Sequence, residues 1–274
     1  LAWAAGDAQA KGFLIGATSG RTTLNGEGLQ HQDGHSHILS STIPNCLSYD
    51  PAFSYEVAVI IKDGIQKMYV DQENYFYYIT TTNENYEHPP MPKDSEEGII
   101  KGMYKILGSK KSVIRLLGSG SILRESIKAR DILSSYKIES EVWSVTSFNL
   151  LRKDGMEVER FNQLNPSSNE KKSYVEECFS INPMPVIAST DYMRSYADQI
   201  RPYINEDFTV LGTDGFGRSD SREMLREFFE IDANSIVRAS AYSLYKNGNL
   251  EKDILDKIYK DIGVDSEKVN PWEA

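Results

Sequence analysis

Short apolar runs that alternate with helix-like segments constrain the fold of this chain more than any other feature. From residue 112 onward, such runs occur at residues 112–117, 141–145, 185–189 and 208–212. The segments between them carry apolar residues at helical spacing, as in residues 123–133. Strands that alternate with helices are joined by right-handed crossovers and form a mainly parallel sheet. The sequence therefore predicts an α/β fold in which mainly parallel sheets are flanked by helices.

A proline-rich break at residues 87–92 divides the sequence into two blocks. Its prolines disfavour any regular element, so a linker is expected there. In the first block, the continuous apolar runs 57–61 and 75–80 are predicted to be strands that are covered on both faces. The second block is predicted to begin with a helix that is capped by Asp94 and Ser95.

Helix signals place the other elements of the second block. Its first helix is predicted to carry Met103 and Ile106 on one apolar face. Further helices are expected over residues 191–201 and 250–262. Gly263 follows the last of these, where a left-handed C-terminal cap is expected.

Composition narrows the partners that the chain can have. A formal net charge of −10 opposes general binding to nucleic acid, which depends on Lys and Arg contacts to phosphate. No stretch approaches the roughly 18 consecutive apolar residues of a membrane span. The two cysteines, Cys46 and Cys178, form no disulfide framework and indicate a reducing compartment. We therefore expect a cytoplasmic protein that binds neither nucleic acid nor membrane.

The N-terminus opens directly on sequence that is typical of a protein core. Residues 1–20 are rich in apolar and small residues, begin with Leu1 rather than methionine, and lack a basic region before an apolar run. Natural termini usually lie at the surface and are loosely held. The expectation is that this chain is a piece of a larger enzyme and carries no signal peptide.

A glycine-punctuated loop at residues 20–37 is the strongest candidate for a functional site. It holds three of the four histidines in the sequence, together with Glu27 and Asp33. Histidine transfers protons near neutral pH, and glycine lets the backbone approach a ligand closely. One interpretation is an anion or carbonyl site in which His31 and Glu27 face a bound substrate.

The same loop leaves a second interpretation open. His31, Asp33, His35 and His37 offer imidazole and carboxylate groups, which are ordinary ligands of transition metals. However, the sequence has no HExxH or CxxC spacing, and Gly34 breaks any helix that would present His31 and His35 together. A metallohydrolase built on these histidines is therefore the less favoured hypothesis.

Two further glycine-rich segments follow predicted strands, where ligands often bind in parallel sheets. Residues 211–220 (LGTDGFGRSD) contain neither GxGxxG nor GxxxxGK[ST], so they support neither dinucleotide nor P-loop binding. A purely structural turn and a functional loop are equally compatible with that segment. Residues 118–121 (GSGS) are interpreted as a strand-to-helix turn.

Longer stretches of the sequence resemble a known family. The most specific is residues 16–37 (GATSGRTTLNGEGLQHQDGHSH). The shorter ones are residues 42–46, 48–51, 80–86, 116–123, 144–148, 188–193, 211–223 and 268–271. On these motifs the chain resembles the C-terminal portion of the homodimeric bacterial pyruvate dehydrogenase decarboxylating component, a thiamine diphosphate enzyme of the transketolase-like family. The resemblance weakens over residues 150–182.

The resemblance implies two domains and a reaction. Residues 1–92 would be the C-terminal half of the middle, pyrimidine-binding domain, and residues 93–274 a transketolase C-terminal-like domain. The implied reaction is oxidative decarboxylation of pyruvate on thiamine diphosphate and Mg²⁺, followed by acetyl transfer to a lipoyl group. The implied partners are a second copy of the subunit and the lipoyl-bearing dihydrolipoyl acetyltransferase component. The alternatives are a dimerisation or partner-binding module, or a related 2-oxo acid dehydrogenase or transketolase.

Candidate site residues follow from the resemblance by position. Glu27 and His31 match residues that line the family's active site, and His31 is expected to contact the pyruvate carboxylate or the covalent adduct. Gln30 and His35 are weaker candidates for substrate binding, on proximity alone. The family's metal-binding GDG motif and the glutamate that activates the aminopyrimidine have no match in this sequence. The ligands of the diphosphate and metal are therefore expected outside this chain, which alone is expected to be inactive.

Overall fold

The computed structural model describes residues 1–17 and 19–274, which form two sheets with flanking helices. The strands are β1 (Phe13–Ala17), β2 (Cys46–Tyr49), β3 (Phe76–Thr81), β4 (Met103–Leu107), β5 (Ile114–Gly118), β6 (Ser140–Val145), β7 (Val186–Ser189) and β8 (Phe208–Leu211). The α-helices are α1 (Ala2–Asp7), α2 (Ser36–Ser40), α3 (Ser54–Ile65), α4 (Glu96–Lys101), α5 (Leu123–Ser135), α6 (Phe148–Leu164), α7 (Tyr174–Phe179), α8 (Arg194–Asp198), α9 (Arg222–Phe228), α10 (Ala233–Lys246) and α11 (Lys252–Asp261). None of the helices in this described part is long and apolar enough to cross a membrane.

The first sheet has three parallel strands in the order β1-β3-β2. Strand β3 lies in the centre, and its fully buried Ile79 shares a core cluster with Ile60 of α3. Strands β1 and β3 end side by side, with Ala17 opposite Thr81. The loops that follow these two strands therefore begin at the same edge of the sheet, which is where a ligand commonly binds in parallel sheets.

The second sheet has five strands in the order β4-β6-β5-β7-β8, and only β4 at its edge runs antiparallel to its neighbour. Successive side chains of a strand point to opposite faces. Leu116 of β5 accordingly joins a core cluster with α5, α9, α10 and α11, whereas Leu117 joins one with α6, α7 and α8. Helices thus cover both faces, which confirms the predicted α/β fold with mainly parallel sheets.

Buried polar contacts join the two sheets. Glu56 of α3 is fully buried and accepts hydrogen bonds from the hydroxyls of Tyr104 on β4 and Ser144 on β6, each at 2.6 Å. Burial raises the pKa of this carboxyl. At the carboxyl ends of β2 and β6, the Asp50 N–H donates to the Thr146 carbonyl at 2.7 Å. The two halves of the chain therefore meet through satisfied polar groups as well as through apolar packing.

The strand predicted at residues 57–61 is wrong, because these residues lie within α3. The buried positions of this helix are Glu56, Val59, Ile60 and Gly64, which recur at helical rather than alternating spacing. The Glu56 carboxylate also accepts hydrogen bonds from two backbone N–H groups at the start of the helix. A short apolar run does not by itself distinguish a buried strand from the buried face of a helix.

The first helix of the second block is shorter than predicted. Helix α4 ends at Lys101 because Gly102 adopts a left-handed conformation with φ of 116°. Met103 and Ile106, predicted on the apolar face of a helix, lie instead in strand β4. The predicted helix over 191–201 also shrinks to the five residues of α8, followed by a short 3-10 helix.

Other predicted elements are confirmed. The proline-rich break at 87–92 contains no helix or strand, and residues 75–80 largely coincide with β3. The last helix is α11, and Gly263 behind it takes a left-handed φ of 69°. Helix α10, which packs against α5, has no counterpart among the predicted elements.

Candidate functional site

A pocket of about 650 Å³ opens beside the loop that was predicted as the functional site. It lies at the carboxyl edge of the first sheet, where the loops after β1 and β3 meet. The residues that line it are Gly16, Ala17, Ser19, Leu24, Glu27, His31, Asp33, Ser36, Tyr78 and Asn83. Two carboxylates and an imidazole therefore share one cavity with several hydroxyl and amide groups.

The two main predicted site residues both line this pocket. Glu27 is half-buried, and His31 is exposed at the end of a short 3-10 helix, Leu29–His31. The His31 N–H donates to the Gly28 carbonyl at 3.0 Å, which fixes the turn that presents the imidazole. An exposed imidazole beside a carboxylate in a cavity is suited to hydrogen bonding or proton exchange with a small bound anion.

The two weaker candidates lie elsewhere. Gln30 and His35 are both exposed, and neither is among the residues that line the pocket. The His35 ring lies 3.2 Å from the Arg21 guanidinium, measured from Nε2 to Nη2. Arg21 itself is buried, and its side chain packs against Gly34, where any side chain would collide with it. The geometry thus separates His35 from the cavity that holds Glu27 and His31.

His37 is a core residue. It is fully buried, its Nε2 lies 3.0 Å from the Thr80 hydroxyl, and its ring stacks on Tyr196 with a centroid separation of 4.8 Å. Burial lowers the pKa of His37 to about 3, so the ring is neutral at physiological pH. The three histidines of the loop therefore lie in three different environments. No group of three metal-ligating side chains occurs in the described part of the chain.

Asp33 joins the start of α2 to the pocket wall. Its Oδ1 accepts hydrogen bonds from the N–H groups of His35 and Ser36, both at 3.0 Å, and its Oδ2 accepts one from the Ser36 hydroxyl. A carboxylate that receives helix N–H groups in this way satisfies donors that have no partner within the helix. Asp33 therefore lines the pocket with a carboxylate whose two oxygens already accept hydrogen bonds from His35 and Ser36.

Tyr78 of β3 forms part of the pocket wall through its phenol. The hydroxyl lies so close to Gly16 that a side chain at that position would approach it to 2.5 Å. Burial raises the pKa of Tyr78, while hydrogen bonds with Ser36 and Ser19 oppose this shift. The phenol thus stays protonated and can donate a hydrogen bond into the cavity.

Two buried carboxylates behind the loop, Asp191 and Asp50, are not among the site residues that the sequence predicts. Asp191, just after β7, accepts hydrogen bonds from the Thr22 hydroxyl at 2.8 Å and the Thr22 N–H at 3.2 Å. Asp50, just after β2, accepts one from the Thr80 hydroxyl at 2.7 Å. Burial raises the pKa of each carboxyl to about 7. The only signal for Asp191 was its place within the 188–193 motif.

Comparison with protein families gives two matches that together cover most of the chain. Residues 1–89 match the pyruvate dehydrogenase E1 component middle domain, and residues 102–232 match the transketolase-like C-terminal domain. The pyruvate dehydrogenase E1 component of Pseudomonas aeruginosa is 56% identical over 279 residues, and that of Escherichia coli K12 is 55% identical over 276 residues. The chain belongs to the pyruvate dehydrogenase E1 family. This confirms the resemblance drawn from the motifs.

The chain spans about a third of the length of these E1 relatives. The match covers all of this chain and 32% of the Pseudomonas protein, and 99% of this chain and 31% of the Escherichia protein. It lies in the C-terminal portion of the relatives. The domain boundary predicted between residues 92 and 93 falls in the interval between the two family matches, and its exact position stays a prediction.

Solved structures show the same fold at much lower identity. A transketolase from Campylobacter jejuni aligns with a TM-score of 0.66 at 18% identity and covers 87% of this chain and 32% of that one. A split gene transketolase, described as an inactive beta4 tetramer, aligns with a TM-score of 0.58 at 14% identity. It covers 85% of this chain and 67% of that one. These likenesses establish the transketolase-like fold of this E1 family member.

Proposed function

We propose that this chain forms one wall of the substrate cavity of a pyruvate dehydrogenase E1 subunit. The subunit would decarboxylate pyruvate oxidatively and transfer the acetyl group to a lipoyl group on a dihydrolipoyl acetyltransferase component. The observation that carries this proposal is the shared pocket of Glu27 and His31 at the carboxyl edge of a parallel sheet. A homodimeric subunit and a cytoplasmic location are part of the same proposal.

His31 is the residue proposed to contact the substrate. Its exposed imidazole can hydrogen-bond to the pyruvate carboxylate, and Glu27 in the same cavity can stabilise the protonated ring. Tyr78 and Asn83 add polar groups to the lining of the same cavity. The two weaker candidates, Gln30 and His35, lie outside this lining, so we propose no direct substrate contact for them.

Thiamine diphosphate and Mg²⁺ would supply the decarboxylation chemistry. The GDG motif that holds the diphosphate-bound metal in the family has no match in this sequence, and the described residues contain no cluster of three acidic, histidine or cysteine side chains that could hold an ion. We therefore assign to this chain the positioning of the substrate and the exclusion of water. The ligands of the metal and diphosphate are assigned to parts of the subunit that this chain does not include.

Replacement of His31 tests the proposed role directly. This chain is joined to the upstream two thirds of the Escherichia coli relative, and pyruvate turnover is measured for the unchanged sequence and for His31→Ala. We expect His31→Ala to lower turnover by about 10²–10⁴-fold, the range of a positioned acid–base group. His88→Ala is the control, since it removes an exposed histidine that does not line this pocket. Equal turnover in His31→Ala and the unchanged enzyme would remove His31 from the site.

Titration calorimetry separates the cofactor assignment from the role of His31. Thiamine diphosphate and Mg²⁺ are titrated into this chain and into the joined protein. Binding by the joined protein alone supports the assignment of the cofactor ligands to the upstream part. Tight binding by this chain would mean that a cofactor site lies among residues 1–274 and that the proposed division is wrong.

A self-associating module is the second candidate function. The split gene transketolase that aligns over 67% of its length is described as an inactive beta4 tetramer, so a chain of similar span and fold assembles with copies of itself. Light scattering during size-exclusion chromatography tests whether this chain does the same. A monomer at concentrations of tens of micromolar would argue against this candidate and leave the catalytic proposal unaffected.

A further inference from the structure

Residues 212–222 follow β8 and reach from the second sheet to the loop at residues 20–37. We call residues 212–222 the bracket segment and residues 20–37 the site loop. The Gly26 N–H donates to the Asp220 carbonyl at 2.9 Å, on the N-terminal side of the short 3-10 helix in the loop. On its C-terminal side, the Arg218 N–H donates to Gln32 Oε1 at 2.8 Å, and the Gln32 amide donates to the Arg218 carbonyl. The bracket segment therefore contacts the site loop on both sides of its 3-10 helix.

Arg222 adds three contacts to the same loop and pocket. Its Nε donates to the Thr23 carbonyl at 2.8 Å, and its N–H donates to Asn25 Oδ1 at 3.0 Å. Its Nη2 donates to Asn83 Oδ1 at 3.2 Å. Asn83 lines the pocket from the loop after β3. One arginine at the start of α9 thus connects both loops of the first sheet that enclose the pocket.

The fit between the bracket segment and the loop depends on a close backbone approach. A side chain at Gly217 would come within 2.7 Å of Gln32 Oε1 and within 2.8 Å of the Leu29 carbonyl. The Gln32 side chain is 6% exposed, so its paired hydrogen bonds are shielded from water. The Gln32 amide pairs with both the N–H and the carbonyl of Arg218. Its removal is costly, because these two backbone groups would then lack hydrogen-bond partners.

Glu27 and His31 depend on this arrangement for their positions. Within the described part of the chain, neither side chain makes a hydrogen bond or an ion pair. Their placement therefore depends on the backbone of the loop and not on polar contacts of their own. Two polar side chains that act on one small substrate need a fixed backbone, since small misplacements reduce catalysis strongly.

We infer that Gln32 and Arg222 are positioning residues, which hold the site loop so that Glu27 and His31 face the pocket. The roles of Glu27 and His31 in this inference rest on the proposed function. The contacts of Gln32 and Arg222 with the loop are independent of it. It also assigns a role to the glycine-rich segment 211–220, whose sequence was equally compatible with a turn and with a functional loop. The segment acts on the site from the second sheet.

Hydrogen–deuterium exchange of this chain tests the inference without substrate or cofactor. Gln32→Ala and Arg222→Met each remove side-chain hydrogen bonds to the loop, and we expect amides of residues 24–33 to exchange roughly tenfold faster. Gln163→Ala and Arg160→Met are matched controls on the exposed face of α6. Slow exchange of β5 amides serves as the internal measure of an intact fold.

Each outcome decides the inference. Faster exchange confined to the site loop, with partial recovery in Arg222→Lys, supports it. Unchanged loop exchange in Gln32→Ala and Arg222→Met, or equal acceleration across the whole chain, overturns it. If Arg222→Met does not fold, Gln32→Ala and Arg222→Lys decide. Because exchange reports on the loop alone, a loosened loop combined with normal turnover of His31→Ala would refute the proposed role of His31 and leave the bracket intact.

Discussion

Asp50 offers a prediction whose sign and size follow from the structure. Its carboxyl is buried at 4% exposure behind the site loop, with Thr80 as the donor to Oδ1 and no hydrogen-bond partner at Oδ2. Although His37 Nε2 lies 4.0 Å from Oδ1, burial keeps the His37 ring neutral, so no cation compensates the charge of Asp50. Burial raises the pKa of Asp50 from 3.8 to about 7. The folded chain therefore prefers the protonated carboxyl.

The effect on stability follows from proton linkage. A carboxyl with a higher pKa in the folded state binds its proton more tightly there, so protonation stabilises the fold. This stabilisation is complete below about pH 4, where the unfolded chain is also protonated, and is lost as the pH rises towards 7. The difference between a pKa of 3.8 in the unfolded chain and about 7 in the folded chain corresponds to about 4 kcal/mol of stability. The free energy of unfolding then changes by at most about 1.4 kcal/mol per pH unit.

Asp50→Asn isolates this contribution, because the amide resembles the protonated carboxyl at every pH. Urea unfolding is followed through the fluorescence of Trp143, which is 7% exposed, between pH 4 and 8. We expect the free energy of unfolding of Asp50→Asn, minus that of the unchanged chain, to rise by about 4 kcal/mol across this range. Asp131→Asn, an exposed substitution on α5, is the control. A difference that stays flat with pH would refute the conclusion that Asp50 is protonated in the fold.

Two further predictions concern the contacts that hold the site loop. Gly20→Ala introduces a side chain at φ of 94°, within 2.2 Å of Asp191 Oδ2, and we expect the free energy of unfolding to fall by at least about 2 kcal/mol in urea. An unchanged midpoint would show that the close approach is not needed. Arg226→Met removes the buried cation that contacts Glu84 and Glu125, which keep the more exposed Arg124 and Lys128, and we expect a loss of about 1–3 kcal/mol in the same assay. A loss no larger than that of the exposed Arg160→Met would contradict this.

Fold class was predictable because the second sheet repeats one local pattern several times. Strands β5, β6, β7 and β8 are each a short apolar run followed by a helical segment, and each was predicted close to its observed position. The first sheet lacks that redundancy. Its strand β1 is a short apolar run that was not predicted as a strand. The apolar run of α3 carries no alternation that would separate helix from strand. The acidic Glu56 in the first turn was the available helix signal.

Part of the site was predictable for a different reason. Glu27, His31 and Asp33 come from one continuous loop, so a local excess of histidine, glycine and acid identifies them together. Asp191 and Arg222 contact that loop from 169 and 199 positions away. No local pattern at these two residues points to residues 20–37. Their part in the site follows from the packing of the second sheet against the first, which sequence spacing alone does not specify.

The histidines of the loop show that a local sequence pattern does not predict which side chains are exposed in the pocket. His31 and His37 occur in the same short motif, yet one is exposed in the pocket and the other is fully buried. The difference arises from Tyr192 and Tyr196, which follow β7 and enclose the His37 ring at centroid separations of 4.7 and 4.8 Å. Because those tyrosines exclude water, the His37 ring stays neutral and cannot exchange protons with a substrate near neutral pH. Residue type alone therefore predicts the loop, whereas the packing of Tyr192 and Tyr196 removes His37 from its solvent-exposed face.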